Sequence, residues 1–102
     1  MSHYLLTYEL APDYLTRRVM YRDQHLTLAW QEAEAGTLLL GGAVGVPVES
    51  ALLLFTTEDS AKAFARADPY VQEGLVTNWQ VKPWATVVGK TAAAPVHPKA
   101  KG

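Results

Sequence analysis

Two apolar runs, 37–44 and 49–57, are joined by no more than Gly45-Val46-Pro47-Val48. A link this short closes an antiparallel hairpin, because parallel strands need a crossover of about a dozen residues or more. Leu38-Leu39-Leu40 lies in the first run and Ala51-Leu52-Leu53-Leu54-Phe55 in the second. Both read as buried strands, the first loosening at Gly41-Gly42.

Helices are predicted on either side of this hairpin. The first runs from Tyr14 to about Ala35, a length of about 33 Å at the helical rise. Leu15, Val19, Leu26, Ala29, Trp30 and Ala33 recur at helical spacing and form the stripe expected to pack on the sheet. Asp13 is placed to cap its start and Gly36 to end it in a left-handed conformation. The second helix opens at Thr57-Glu58-Asp59-Ser60, with Thr57 as cap and Ser60 where a capping box wants Glu. Ala61, Phe64, Ala65 and Ala67 give it a small-residue face. Asp68-Pro69 breaks it, since a residue before proline avoids helical backbone. Pro69 to Glu73 makes one more turn, stopped at Gly74.

The outer strands complete the pattern. In 3–10, Tyr4, Leu6, Tyr8 and Leu10 alternate with His3, Thr7 and Glu9, and 75–88 alternates similarly from Leu75 to Val81. The order β-α-β-β-α-β predicts a ferredoxin-like α+β fold, an antiparallel sheet with two helices on one face. The opposite sheet face is then uncovered and partly apolar. That predicts a homodimer, sheet packed on sheet.

The chain of 102 residues argues for one domain, placed at 1–88, followed by a flexible basic tail at 89–102. The tail carries Lys90, Lys99 and Lys101 and no acid, whereas residues 1–88 hold six Lys/Arg against ten Asp/Glu, a net −4. With an overall net charge of −1, no nucleic acid or anionic membrane partner is expected. There is no cysteine, which excludes disulfides, thiolate nucleophiles and Cys-type zinc sites. The start of the chain lacks a signal-peptide pattern, and no apolar run is long enough to span a bilayer. A cytoplasmic location fits these features.

Residues able to move a proton are few. His25 sits at the edge of the helical stripe, where an imidazole can reach a cleft between helix and sheet. A helix histidine can equally have no task. Asp68 before Pro69 is first of all an N-cap, but a carboxylate has lone pairs to spare and a capped one is rigid enough to orient an imidazole. Arg22 is a candidate for holding an anionic group, or for a salt bridge with Asp68 or another acid. Tyr70, Trp79 and Trp84 read as core or interface aromatics; Tyr4 and Tyr8 are placed to line a pocket beside the first strand, with packing the plainer reading for both. His3, His25 and His97 have no metal-ligand spacing, so no metal is expected. Gly41-Gly42-Ala43-Val44-Gly45 lacks the Lys-Ser/Thr of a P-loop, and no cofactor motif is present.

Arg22-Asp23-Gln24-His25-Leu26 and Ala67-Asp68-Pro69-Tyr70-Val71, in this order and at this separation, resemble the YciI-like (YCII-related) family. So do Gly36-Thr37-Leu38-Leu39-Leu40-Gly41-Gly42 and Val81-Lys82-Pro83-Trp84. The resemblance spans residues 3–88. It implies a dimeric α+β barrel and an active site of His and Asp, here His25 and Asp68; beside them, Arg22 and Tyr70 are the substrate-binding candidates. It also implies proton-transfer chemistry on small polarised molecules, since one member looks like a dehydrochlorinase of a chlorinated aromatic. The link between the middle strands is shorter than in many members; if the longer insertion covers the pocket there, the site here is expected to be more open or differently specific.

The expectation is therefore a small cofactor-free enzyme for proton transfer, elimination or isomerisation on a small organic molecule. The competing expectation is a non-catalytic module that binds a small ligand or another protein on the same dimeric fold. A cavity facing His25 discriminates between them.

Overall fold

The computed structural model describes residues 1–99; the end of the tail predicted at 89–102 lies outside the described residues. The elements follow the order β1 (Tyr4–Leu10), α1 (Tyr14–Glu34), β2 (Leu38–Val44), β3 (Ser50–Phe55), α2 (Glu58–Ala67), α3 (Pro69–Gln72) and β4 (Val76–Pro83). The sheet is antiparallel with strand order β2-β3-β1-β4. This is the ferredoxin-like α+β fold that the alternation of runs predicts.

Local chemistry sets the boundaries. Gly36 and Gly74 have φ of 83° and 79°, left-handed values that end α1 and α3. Thr57 Oγ1 accepts from Ser60 N at 3.1 Å, and the Ser60 hydroxyl lies 3.1 Å from the Thr57 carbonyl oxygen, to which it can donate. The capping box stays incomplete: a glutamate would accept from the Thr57 N–H, whereas the serine hydroxyl donates to the Thr57 carbonyl. Asp13 does not cap α1. Its backbone is not extended (φ −98°, ψ 15°), so its carboxylate does not reach over the first turn and lies 3.9 Å from Arg17 Nε instead. β4 ends at Pro83, short of the expected Val88; Trp84 N still donates to the His3 carbonyl at 2.9 Å. Beyond it the chain folds back on itself, with Ala93 N donating to Thr86 Oγ1 and Val96 N to the Val87 carbonyl.

Register decides which side chains meet the helices. Leu6 pairs with Leu53 and Val81, and Tyr8 with Ala51 and Trp79. These point to the helical layer, where Leu6, Leu53 and Phe55 pack with Ala61, Phe64 and Ala65 of α2. Full burial of each large apolar side chain contributes about 1.5–3 kcal/mol. The next residues along, Leu5, Thr7, Leu52 and Leu54, occupy the other face. Leu40, Val44 and Leu52 are exposed there or at the β2 edge.

The packed face of α1 differs from the expected stripe. Val19 and Trp30 are 77% and 65% exposed, and Leu15 and Leu26 are exposed as well. Tyr14 is buried, while Tyr21, Leu28 and Ala29 pack against the core. The packed face lies roughly 100° round the helix from the predicted stripe. Tyrosine rings explain the difference: a pattern of aliphatic residues passes them over, yet each buries a large apolar area under a polar tip. The helix is held against β2 and α3 by these rings, and its aliphatic flank is left to roof a cavity. Among the described residues, no helix is long and apolar enough to cross a membrane.

Candidate functional site

Asp68 is the residue on which the site is built. Proline at 69 holds its backbone extended (φ −69°, ψ 122°), turning the carboxylate back into the protein at the junction of α2 and α3. There it is completely buried. Oδ1 accepts from Tyr70 N at 3.0 Å, which caps α3 as expected, and lies 2.9 Å from His25 Nδ1. Oδ2 accepts from the Tyr8 hydroxyl at 2.7 Å. One buried carboxylate thus gathers β1, α1 and α3.

This network assigns the tautomer of His25. Both carboxylate oxygens act as acceptors, so Nδ1 carries the proton and donates, and Nε2 keeps its lone pair. The imidazole is stacked on the Tyr70 ring, with centroids 3.9 Å apart and planes within 8°. The Phe64 ring meets it edge-on at 6.0 Å. Its side chain retains 15% exposure, while that of Asp68 has none.

His25 faces a cavity of about 350 Å³ between α1 and the sheet. Tyr8, Tyr14 and Tyr70 line it with Arg18 and Arg22, and Trp30, Leu38 and Gly41 add apolar surface. Arg22 does not pair with Asp68, whose oxygens are taken by Tyr8, His25 and Tyr70; it lines the cavity instead. The structure thus gathers all four expected site residues, His25, Asp68, Arg22 and Tyr70. Among the described residues, no cluster of three His, Asp or Glu side chains is arranged to hold a metal.

Arg18 was not singled out by the sequence, and Tyr8 only as a packing or pocket-lining ring; that ring does line the cavity. Tyr8 lies on the inward face of β1, where alternation marks it as core, and only its hydroxyl reveals a second role. Burial, then the Asp68 charge and hydrogen bond, push its phenol far above the ordinary range. Burial also pushes Tyr70 up to about 12, with Tyr14 adding to the rise and Arg22 and Arg18 pulling against it. Unfolded tyrosines release their protons near pH 10, so between pH 10 and about 12 the native chain holds more protons and loses stability as pH rises. Tyr8→Phe is expected to cost about 1.5–3 kcal/mol at neutral pH, because a hydrogen bond to a charged group is lost. Its stability should then fall less steeply than native above pH 10. Urea unfolding at pH 7 and across the alkaline range measures both.

The YCII-related domain matches residues 1–85. Among curated proteins, none matches the chain. A solved structure of 5-chloro-2-hydroxyhydroquinone dehydrochlorinase from Burkholderia phenoliruptrix AC1100, in complex with 2,5-dihydroxybenzoquinone, is similar with a TM-score of 0.64 and 21% identity. That match covers 80% of this chain and 92% of the other. Protein Atu4242 from Agrobacterium tumefaciens is similar with a TM-score of 0.56 and 13% identity, covering 91% of this chain and 98% of the other. At these identities the two structures speak to the fold. With most of its length matched, the chain belongs to the YCII-related domain family.

Proposed function

We propose that this protein is an acid/base enzyme that moves a proton on a small organic molecule, with His25 as base or acid and Asp68 as its orienting partner. The observation that carries the reading is the 2.9 Å contact between His25 Nδ1 and the buried Asp68, on an imidazole that also lines a cavity. The carboxylate fixes the tautomer and stabilises the imidazolium once formed, and Nε2 is left to exchange the proton. In an elimination, Nε2 takes a proton from carbon, the C–H electrons form the new double bond, and chloride leaves with the C–Cl electrons. In an isomerisation the same nitrogen returns the proton to another carbon. Arg22 holds the enolate or phenolate oxygen on which charge develops, and Tyr70 positions the imidazole by stacking. The structural likeness to a dehydrochlorinase supports this class of reaction.

The test is turnover of a panel of chlorinated hydroxyhydroquinones and small lactones. The native protein converts at least one, and His25→Ala loses the activity while staying folded. Binding without conversion across the panel leaves the protein as a ligand-binding module. Full activity in His25→Ala contradicts the proposal.

The working form is proposed to be a homodimer formed by the open sheet face. Leu52 there is 37% exposed and Leu40 at the β2 edge is 73% exposed. Sedimentation equilibrium is expected to give twice the chain mass. Leu52→Lys should shift the protein toward monomer, and a monomeric native protein would refute the assembly.

A further inference from the structure

We infer that the cavity is built for a small apolar organic anion, its charged oxygen held between Arg18 and Arg22 and its carbon frame laid toward Trp30 and Gly41. This rests on the reading of that cavity as the working site.

The charge argument starts on α1. Arg18 and Arg22 are one helical turn apart, so their side chains are neighbours, and like charges at that spacing disfavour the helix. Among the described residues neither guanidinium has an ion pair. Their neighbour Arg17 is satisfied, 3.9 Å from Asp13 and donating to the Glu73 carbonyl at 2.7 Å. No Asp or Glu lines the cavity. Asp68, behind it, is spent on Tyr8, His25 and Tyr70. Two positive charges therefore border the cavity without a counter-ion of their own. Arg18 lies 5.6 Å from the Tyr14 ring centroid, a cation–π placement that steadies it at the wall. Both guanidiniums also act on the Tyr70 hydroxyl, so their field reaches the imidazole stack.

The opposite wall is apolar and shaped by a missing side chain. A Cβ at Gly41 would come within 3.3 Å of Leu53 Cγ, so any larger residue there presses on the wall and takes up cavity space. The volume of about 350 Å³ is near the lower end of small-molecule pockets, which run about 300–1,000 Å³. An aromatic carboxylate or phenolate has the required size, one charged oxygen group and an apolar body.

Benzoate and its neutral counterpart benzamide separate charge from shape, with binding followed by chemical-shift titration of the full-length protein. Benzoate is expected to bind at least tenfold more tightly than benzamide. Arg18→Gln should weaken benzoate about tenfold, the loss of one charge-assisted hydrogen bond, and leave benzamide little changed. Arg18→Lys should restore part of the loss, and Gly41→Val should weaken both probes. Equal binding of the two probes, unchanged benzoate binding in Arg18→Gln, or no saturable binding of either overturns the inference. Repeating the titration in His25→Ala keeps the two readings apart. If benzoate still binds there through Arg18 while no turnover is ever found, the anion site stands and the acid/base reading falls. If turnover depends on His25 but benzoate binding ignores Arg18, only this inference falls.

Discussion

Asp68→Ala is expected to destabilise the protein by about 3–5 kcal/mol, because three buried donors lose their acceptor at about 1–3 kcal/mol each, less what relaxation recovers. The side chain is fully buried and accepts from three donors on three elements. Alanine leaves the Tyr8 hydroxyl, the His25 Nδ1–H and the Tyr70 N–H without an acceptor, and it removes the cap of α3. Small domains have only about 5–15 kcal/mol of stability, so this change brings the chain close to unfolding at moderate urea. Asp68→Asn keeps one acceptor oxygen and is expected to lose less, about 1–3 kcal/mol. Urea titration should show a lower midpoint at unchanged slope, since the folded surface is the same. A loss below about 1 kcal/mol for Asp68→Ala would mean that the carboxylate is not the hub described here.

His25→Ala is expected to reduce turnover by about 10²–10⁴-fold, the usual contribution of a positioned acid or base. Its structural cost is smaller, because Asp68 keeps both Tyr8 and Tyr70 as donors. The variant loses the 3.9 Å stack on Tyr70 but no core aliphatic residue. The expected signature is a collapse in kcat with a near-native unfolding midpoint. Parallel loss of activity and stability would instead make His25 a structural residue.

What the sequence made legible was local. The short link at Gly45 announces the hairpin, and left-handed glycines at 36 and 74 end α1 and α3 as expected. Asp68-Pro69 marks both a break and a cap because proline acts on its immediate neighbour. His25 and Asp68 were legible as a pair through the order and separation of two motifs. The face of α1 was not. Leu15, Val19, Leu26 and Trp30 look like a core stripe, yet packing is decided by the rings of Tyr14 and Tyr21. The bond from Tyr8 to Asp68 was hidden for a related reason: the carboxylate is sixty residues away, and no local pattern encodes that contact. Arg18 carries no signal either, because it takes meaning only from the cavity that β2 and α1 enclose together.

The central claim is that Asp68 holds neutral His25 with its proton on Nδ1, leaving Nε2 as the working nitrogen. Nitrogen-15 NMR of the imidazole, above the pH at which it becomes neutral, reads the tautomer directly. The account predicts the Nδ1–H form in the native protein and a shift toward the Nε2–H form in Asp68→Ala, which leaves Nδ1 with no acceptor. A native His25 that is predominantly Nε2–H, or a tautomer unmoved by Asp68→Ala, would contradict it.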